Sequence, residues 1–538
     1  MSEKRGRKTA RTATGKAAAK RAASSKAPAT GTATGDLLFD RPAWSFETLA
    51  RTHDAIEEVA RGELGLDPYP TRLEVVSSEQ MLDAYAATGM PVMYPHWSFG
   101  KRFARQEMLY RKGFQQLALE IVINSNPSLC YIMEDNTMAA QATVIAHAAI
   151  GHNHFFRHNN VFREWTEADS VLDELRHARR FVMECEERHG RPAVEKVLDA
   201  AHALLSHGVD RAGRGERPDP VATRARLAER ARQQRLEAQD LWLRTVPSRA
   251  EPPEEGTAAA ERRAMGLPEE NLLLFLENHA PLLDAWQREL LRIVRWLATY
   301  FEPQRQTKLM NEGCATWCHF EIMQRLRDRG RIGDGAMLEF LDLHSMVVAQ
   351  PSFDSQGYGG LNPYALGFAM MRDIVRVCTE PTEEDAAWFP DIAGNGRPVE
   401  TLRRAWADFR DESFVRQYLS PRLIREWRLF SLCDDAAAPA LRVEAIHDDE
   451  GYRRIVRALA DQYDPAAQTP AIEVTGADLR GERVLHLRHS VQDGRVLDPL
   501  EVRRVLRHVQ RLWGYAVHLT EADAGSGTEL TAYRSDGA

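Results

Sequence analysis

Residues 117–160 read LALEIVINSNPSLCYIMEDNTMAAQATVIAHAAIGHNHFFRHNN, and the rest of the chain is best understood outward from them. Three acids, four histidines and several carboxamides crowd into segments that otherwise belong in a core. Burying a polar group costs free energy unless it is paired or bound, so this crowding marks a site and not a packing need. Asn124-Ser125-Asn126-Pro127 ends one element, because the residue before proline is biased away from the helical region. Upstream, residues 101–123 carry Phe103, Tyr110, Phe114, Leu117 and Ile121 near helical spacing, which predicts an amphipathic helix. Downstream, a second helix is expected from about Asp135 to Phe156, interrupted at Gly151.

Periodicity extends the helical reading in both directions. Trp44–Arg61 predicts a helix and 72–76 a short strand. Helices are expected at 169–189, 192–206, 269–301, 304–327, 335–348, 363–378 and 399–430. The Arg/Glu/Ala/Pro-rich segment 211–262 predicts an exposed charged helix with a linker. After Asp434 the pattern changes. Leu441–His447 alternates, Asp448–Gln462 is helical, Ala471–Val474 and Arg483–His489 alternate, Pro499–Trp513 is helical and Tyr515–Thr520 alternates. That order, β-α-β-β-α-β, is a ferredoxin-like signature. The expected fold is therefore mainly α: a large helical domain, 37–433, followed by a small α+β domain, 434–521. A disordered basic tail, 1–36, precedes them and a flexible C-terminus, 522–538, follows.

Bulk properties narrow the class. At 538 residues the chain exceeds the size at which a single core stops growing. No uncharged apolar run is long enough for a membrane span, and no apolar secretory segment opens the chain, so a cytoplasmic location is expected. Six cysteines are too sparse for a disulfide scaffold. Residues 1–35 carry nine Lys or Arg against one Glu, so this +8 tail sits on a body of −16 within a net −8. Nucleic acid is thus excluded as a partner of the acidic body and expected, if anywhere, only at the tail.

His147, His152 and His154 lie within eight residues, and imidazole is the commonest protein metal ligand. On a straight helix His147 and His152 would diverge by roughly 140°, whereas a bend at Gly151 would bring them together. The second cluster is MNEGCATWCHFEIM, residues 310–323, where Glu312 and His319 share a helix face. Alternatively, the histidines are hydrogen-bonded packing residues and Glu312 serves the helix dipole behind an Asn311 cap. Taken together, the clusters resemble the gluzincin arrangement, in which two histidines of one helix and a later Glu hold Zn²⁺. Two departures stand out: the histidines are five apart, and Ala148 occupies the general-base position. Glu134 or Asp135 is expected to take that role, with His147, His152, His154 and Glu312 as ligands of a divalent metal such as Zn and His319 assisting. Weaker features are the Glu186/His189 ExxH pair, half of a di-iron motif, His96 with Trp97 and Arg102, and the glycine-rich approach to Asn362-Pro363.

The strings YPHWSFGKRF, EIVINSNPSLCYIMEDNT, HAAIGHNHFF, CEERHG, MNEGCATWCH and NPYALGFAMMRDI together resemble the SpoVR family, stage V sporulation protein R-like proteins, from about Leu37 to Thr520. Cys314 stands where that family's EGWAT pattern has Trp. The resemblance implies a cytoplasmic bacterial protein linked to spore cortex formation or to a stress or starvation response. It also implies association with a PrkA-type serine kinase and a von Willebrand A-like protein, and it carries no established reaction. Two functions are therefore expected: a divergent zincin-like metalloprotein with a hydrolase-type site, or a non-catalytic regulatory or scaffold protein.

Overall fold

The computed structural model describes residues 37–535 except 88–89, 91–92, 112–119, 211–261, 263–264, 354, 356–357, 434–441, 445–447, 480 and 493. The expected basic tail, most of the charged segment 211–262 and residues 434–441 lie outside this set. The chain opens with α1 (Phe46–Gly62), held by a Ser45–Thr48 capping box. Next come β1 (Thr71–Val76), α2 (Ser78–Ala86) and α3 (Trp97–Arg111). The helix expected over 101–123 stops short, and residues 120–123 form a strand, β2 (Glu120–Ile123), antiparallel to β3 (Ser128–Met133). The reason is visible in EIVI, a β-branched run whose burial alternates as a strand's does.

The sheet order is β1-β3-β2, with β1 parallel to β3. It divides two cores. Cys130 and Ile132 face one, with the helix that follows; Ile121, Ile123, Leu129 and Met133 face the other. That following helix has three parts: α4 (Met138–Val144), a π-helical segment (Ile145–His152) and α5 (Asn153–His158). The sequence expectation of one interrupted helix is met by a change of winding in place of a kink.

α6 (Asn160–Trp165), α7 (Val171–His189) and α8 (Arg191–Ala203) follow. The stretch expected as one helix, 269–301, divides into α9 (Leu272–His279) and α10 (Ala285–Gln306), with Asp284 capping the second. α11 (Lys308–Asp328), α12 (Asp334–Val347) and α13 (Pro363–Thr379) match their expected positions. After α14 (Glu383–Trp388), the 399–430 stretch becomes α15 (Pro398–Asp408), α16 (Asp411–Tyr418) and α17 (Pro421–Glu426). Ser420-Pro421 supplies the cap and first residue of the last piece. Among the described residues, no helix is long and apolar enough to cross a membrane.

The class expected from the sequence stands: a large helical body precedes a small α+β unit. Its strand order is not ferredoxin-like. Among the described residues, β4 (Ser431–Cys433) and β5 (Arg442–Glu444) pair only with each other, and α18 (Asp449–Tyr463) buries Tyr452, Ile455 and Leu459 in the helical body's core. After α19 (Pro465–Gln468), the small unit is β6 (Ile472–Ala477), β7 (Leu485–Val491), α20 (Pro499–Trp513), β8 (Val517–Asp523) and β9 (Glu529–Arg534), ordered β6-β7-β8-β9. The end expected to be flexible, 522–538, instead supplies β9, antiparallel to β8.

Candidate metal centre

Backbone contacts set the centre. A Cβ on Gly151 would lie 2.5 Å from Ala315 Cα, so the π segment touches α11 only because residue 151 is glycine. On the other side of α11, a Cβ on Gly313 would meet Gly367 of α13 at 2.7 Å. α11 is clamped between these neighbours, and it carries Asn311, Glu312 and His319. Its first turn is held by Asp411, whose carboxylate accepts from Leu309 N at 2.7 Å and Met310 N at 2.9 Å. Cys314, in place of the family's expected Trp, lies wholly buried against Gly151 O and Cys318. The described cysteines Cys130, Cys185, Cys314, Cys318 and Cys378 are free and buried.

A π turn closes hydrogen bonds between residues five apart and returns them toward one side. His147 and His152 therefore meet, ring centroids 4.7 Å apart and nearly perpendicular. Gly151 contributes close approach to α11 and not the expected bend. Glu312 Oε2 faces both rings, 3.8 Å from His147 Nε2 and 3.4 Å from His152 Nε2. One ligand atom from each residue lies within 4.8 Å of the others, and all three side chains are largely buried.

Hydrogen bonding fixes which nitrogens face the centre. His152 Nδ1 donates to Asn311 Oδ1 at 2.9 Å, so a neutral ring presents a bare Nε2 lone pair to Glu312. Burial pushes this imidazole down to about 4 against the pull of Glu312, so the ring is neutral near pH 7. Glu312 Oε2 is buried and has no hydrogen-bond partner. A lone pair and a carboxylate oxygen facing each other in a buried site repel unless a cation lies between them. The donor set fits a divalent ion: two imidazole nitrogens and one carboxylate, the composition of three-ligand zinc sites, which bind at about 2.0–2.2 Å.

His147 is tied down behind. Its Nδ1 lies 3.0 Å from His319 Nδ1, and His319 Nε2 lies 2.8 Å from His344 Nδ1 of α12. A neutral His319 has one N–H, so the chain of three rings has two hydrogen-bond registers. In the one where His147 donates to His319 and His319 to His344, His147 Nε2 is bare for a ligand. Burial lowers His319 well below the ordinary histidine range and lowers His344 to about 4. His147 is raised, because the Glu312 and Glu120 carboxylates outweigh its burial. Burial alone would raise Glu312, but His152, His147 and the Tyr364 hydroxyl bring it below the usual range. Tyr364 stacks on His147 at 6.1 Å. Glu120 Oε1 stands 3.8 Å from His147 Nε2, and its carboxyl is raised by burial, with Glu312 adding to the rise.

Of the residues expected from sequence, His147, His152 and Glu312 come together, with His319 directly behind. His154 does not join them. It accepts from Asp67 N at 3.0 Å and packs on His158 and Trp406, because two further residues along the helix turn it to the other side. Glu134 and Asp135 do not join either: both stand exposed in the β3–α4 turn. Their places are occupied by residues the sequence reading passed over. Glu120 is a lone acid in an apolar strand, and His344 follows Met337 and Phe340 on the buried face of α12; both patterns were available as signals. Tyr364 carries no such signal, and Asn311, expected as the cap, lies inside α11, whose N-cap is Thr307. Of the weaker features, His189 stacks on Trp286 and, among the described residues, does not meet a second ExxH pair. His96 bonds Ser98 and lies 3.3 Å from Asp199. Asn362 caps α13 as expected.

The SpoVR like protein family matches residues 43–468 and the SpoVR-like C-terminal domain matches residues 470–524. "Uncharacterized protein YcgB" of Escherichia coli (strain K12) is 48% identical over 493 residues, covering 92% of this chain and 95% of its own length. No solved structure matches.

Proposed function

This chain belongs to the SpoVR-like protein family, and from that premise we propose that it is a metalloprotein whose centre is His147, His152 and Glu312. One observation carries the reading: a buried, unpartnered Glu312 oxygen faces two imidazoles, one of them fixed with its lone pair toward the carboxylate. A divalent cation such as Zn²⁺ supplies Lewis-acid chemistry to a substrate oxygen when bound. The protein's own part is to hold His147 through His319 and His344 and to hold His152 through Asn311. Hydrolysis of an amide or related bond is the reaction class such a donor set serves. The protein then acts in the cytoplasm, in sporulation or a stress or starvation response, alongside a PrkA-type kinase and a von Willebrand A-like partner, as the family resemblance implies.

Elemental analysis of full-length protein purified without a polyhistidine tag tests the reading. One metal per chain is expected in the wild type, with occupancy lost in His152→Ala and Glu312→Ala. Metal-free wild type that also refuses added zinc would favour the regulatory or scaffold reading, which draws its support from the bonded His147–His319–His344 chain as a rigid polar core.

A further inference from the structure

Hydrolysis by an activated water needs a group to take the water's proton. The π segment offers none, because Ala148 follows His147 with only a methyl group, and Glu134 and Asp135 stand exposed on a turn. We propose that Glu120 is that proton acceptor, a catalytic residue delivered by strand β2 and not by the histidine helix. The inference rests on the metal reading above.

Strand geometry places it. Along β2, Ile121 and Ile123 enter one core, so alternation turns Glu120 and Val122 to the opposite side of the sheet, toward the π segment. Pairing with β3 sets Glu120 opposite Ile132, whose side chain belongs to the core around that segment. A carboxylate there has no packing function. It makes no ion pair with Lys or Arg among the described residues, and the imidazole it faces is His147, at 3.8 Å. Glu120 is nevertheless outside the group of three whose ligand atoms all lie within 4.8 Å of one another. It stands beside the centre, near His147, where a ligand would stand within it.

The Glu120 side chain keeps 20% of its exposure and that of Glu312 15%, so water reaches both carboxylates. In the step, a water O–H bond breaks and its proton goes to Glu120. The oxygen bonds to the substrate's carbonyl carbon, the carbon–nitrogen or carbon–oxygen bond of the leaving group breaks, and Glu120 returns the proton to the departing atom. No oxidant or reductant is consumed.

The test uses full-length protein and two probes, Zn²⁺ and Co²⁺. Glu120→Gln should hold one zinc per chain, with affinity within about threefold of wild type, whereas losing a hydrogen-bonded partner of a metal ligand costs about 10–100-fold. In the Co²⁺-loaded protein, the pH at which the visible spectrum changes should move by about one unit in Glu120→Gln, a tenfold change in the underlying equilibrium. Glu312→Gln, as control, should lose the metal. Substoichiometric zinc in Glu120→Gln would overturn the proposal by making Glu120 a ligand. An unmoved Co²⁺ profile with full occupancy would overturn it by making Glu120 a bystander. Wild type that binds neither ion would remove the metal reading itself, an outcome distinct from both.

Discussion

Two buried clusters in this molecule are built from histidine and glutamate, and they have opposite characters. In the C-terminal unit, His489 Nδ1 lies 3.1 Å from Glu521 Oε1, which also accepts from Leu497 N at 2.8 Å, while Tyr533 donates to Oε2 at 3.3 Å. Both oxygens of Glu521 are used. In the helical body, Glu312 Oε2 faces two imidazoles and accepts a hydrogen bond from neither. Composition is alike in the two places, so it does not identify a site. What separates them is bookkeeping at the atom: a satisfied network reads as structure, and an unsatisfied acceptor opposite a bare lone pair reads as a place for a cation.

The contrast breaks first at Glu521. Glu521→Ala leaves His489 and Leu497 N without their buried partner, and breaking a buried pair costs about 3–5 kcal/mol. Urea unfolding should register that loss equally with and without a chelator. A loss that depends on chelator would make the C-terminal cluster a metal site too, and the contrast would fail. Glu312→Ala should behave the other way. With zinc at about 100-fold above its dissociation constant, binding stabilises a native protein by about 2.7 kcal/mol, and the variant should lose that increment. In chelator it should differ from wild type by about 1 kcal/mol or less, because the substitution also removes an unpartnered buried oxygen. A large loss in chelator would show Glu312 to be structural. Smaller still is the effect one bond further out. His344→Ala leaves both ligating rings in place but removes the anchor of His319, so zinc affinity should fall about tenfold with stoichiometry retained. Competition titration against a chromophoric chelator measures it, and an unchanged affinity would uncouple the ring chain from the centre.

Much of this was legible in the sequence, for identifiable reasons. Helices with apolar stripes, such as α1, α7, α11 and α13, follow from local periodicity, and His147, His152 and Glu312 were marked by polar residues in apolar surroundings. The errors arose where long-range partners decide. EIVI became a strand because Cys130 and Ile132 pair with it, which no window over 101–123 contains. β5 and α18 imitate the start of a ferredoxin-like unit, yet α18's apolar face is claimed by the helical body. The five-residue histidine spacing looked wrong for a shared face because the π winding could not be anticipated from a 3.6-residue period. Glu134 and Asp135 lie near the histidines in sequence, while β2 brings Glu120 there in space.

The finest test of the contrast lies in β9 (Glu529–Arg534). Its Tyr533 hydroxyl completes Glu521 from outside the span matched by the C-terminal family domain. Removing only that hydroxyl, in Tyr533→Phe, keeps the ring and strips one hydrogen bond of long geometry from a carboxylate that retains two other donors. The expected cost is about 0.5–1.5 kcal/mol in urea unfolding, the net worth of one hydrogen bond, with zinc affinity at the other cluster unchanged. A much larger cost would mean that the Glu521 network depends on every member. No cost at all would mean that Oε2 tolerates being orphaned in a purely structural setting. In that case the orphaned oxygen of Glu312 would lose its weight as a sign of a cation, and the donor set of two imidazoles and a carboxylate would have to carry the reading alone.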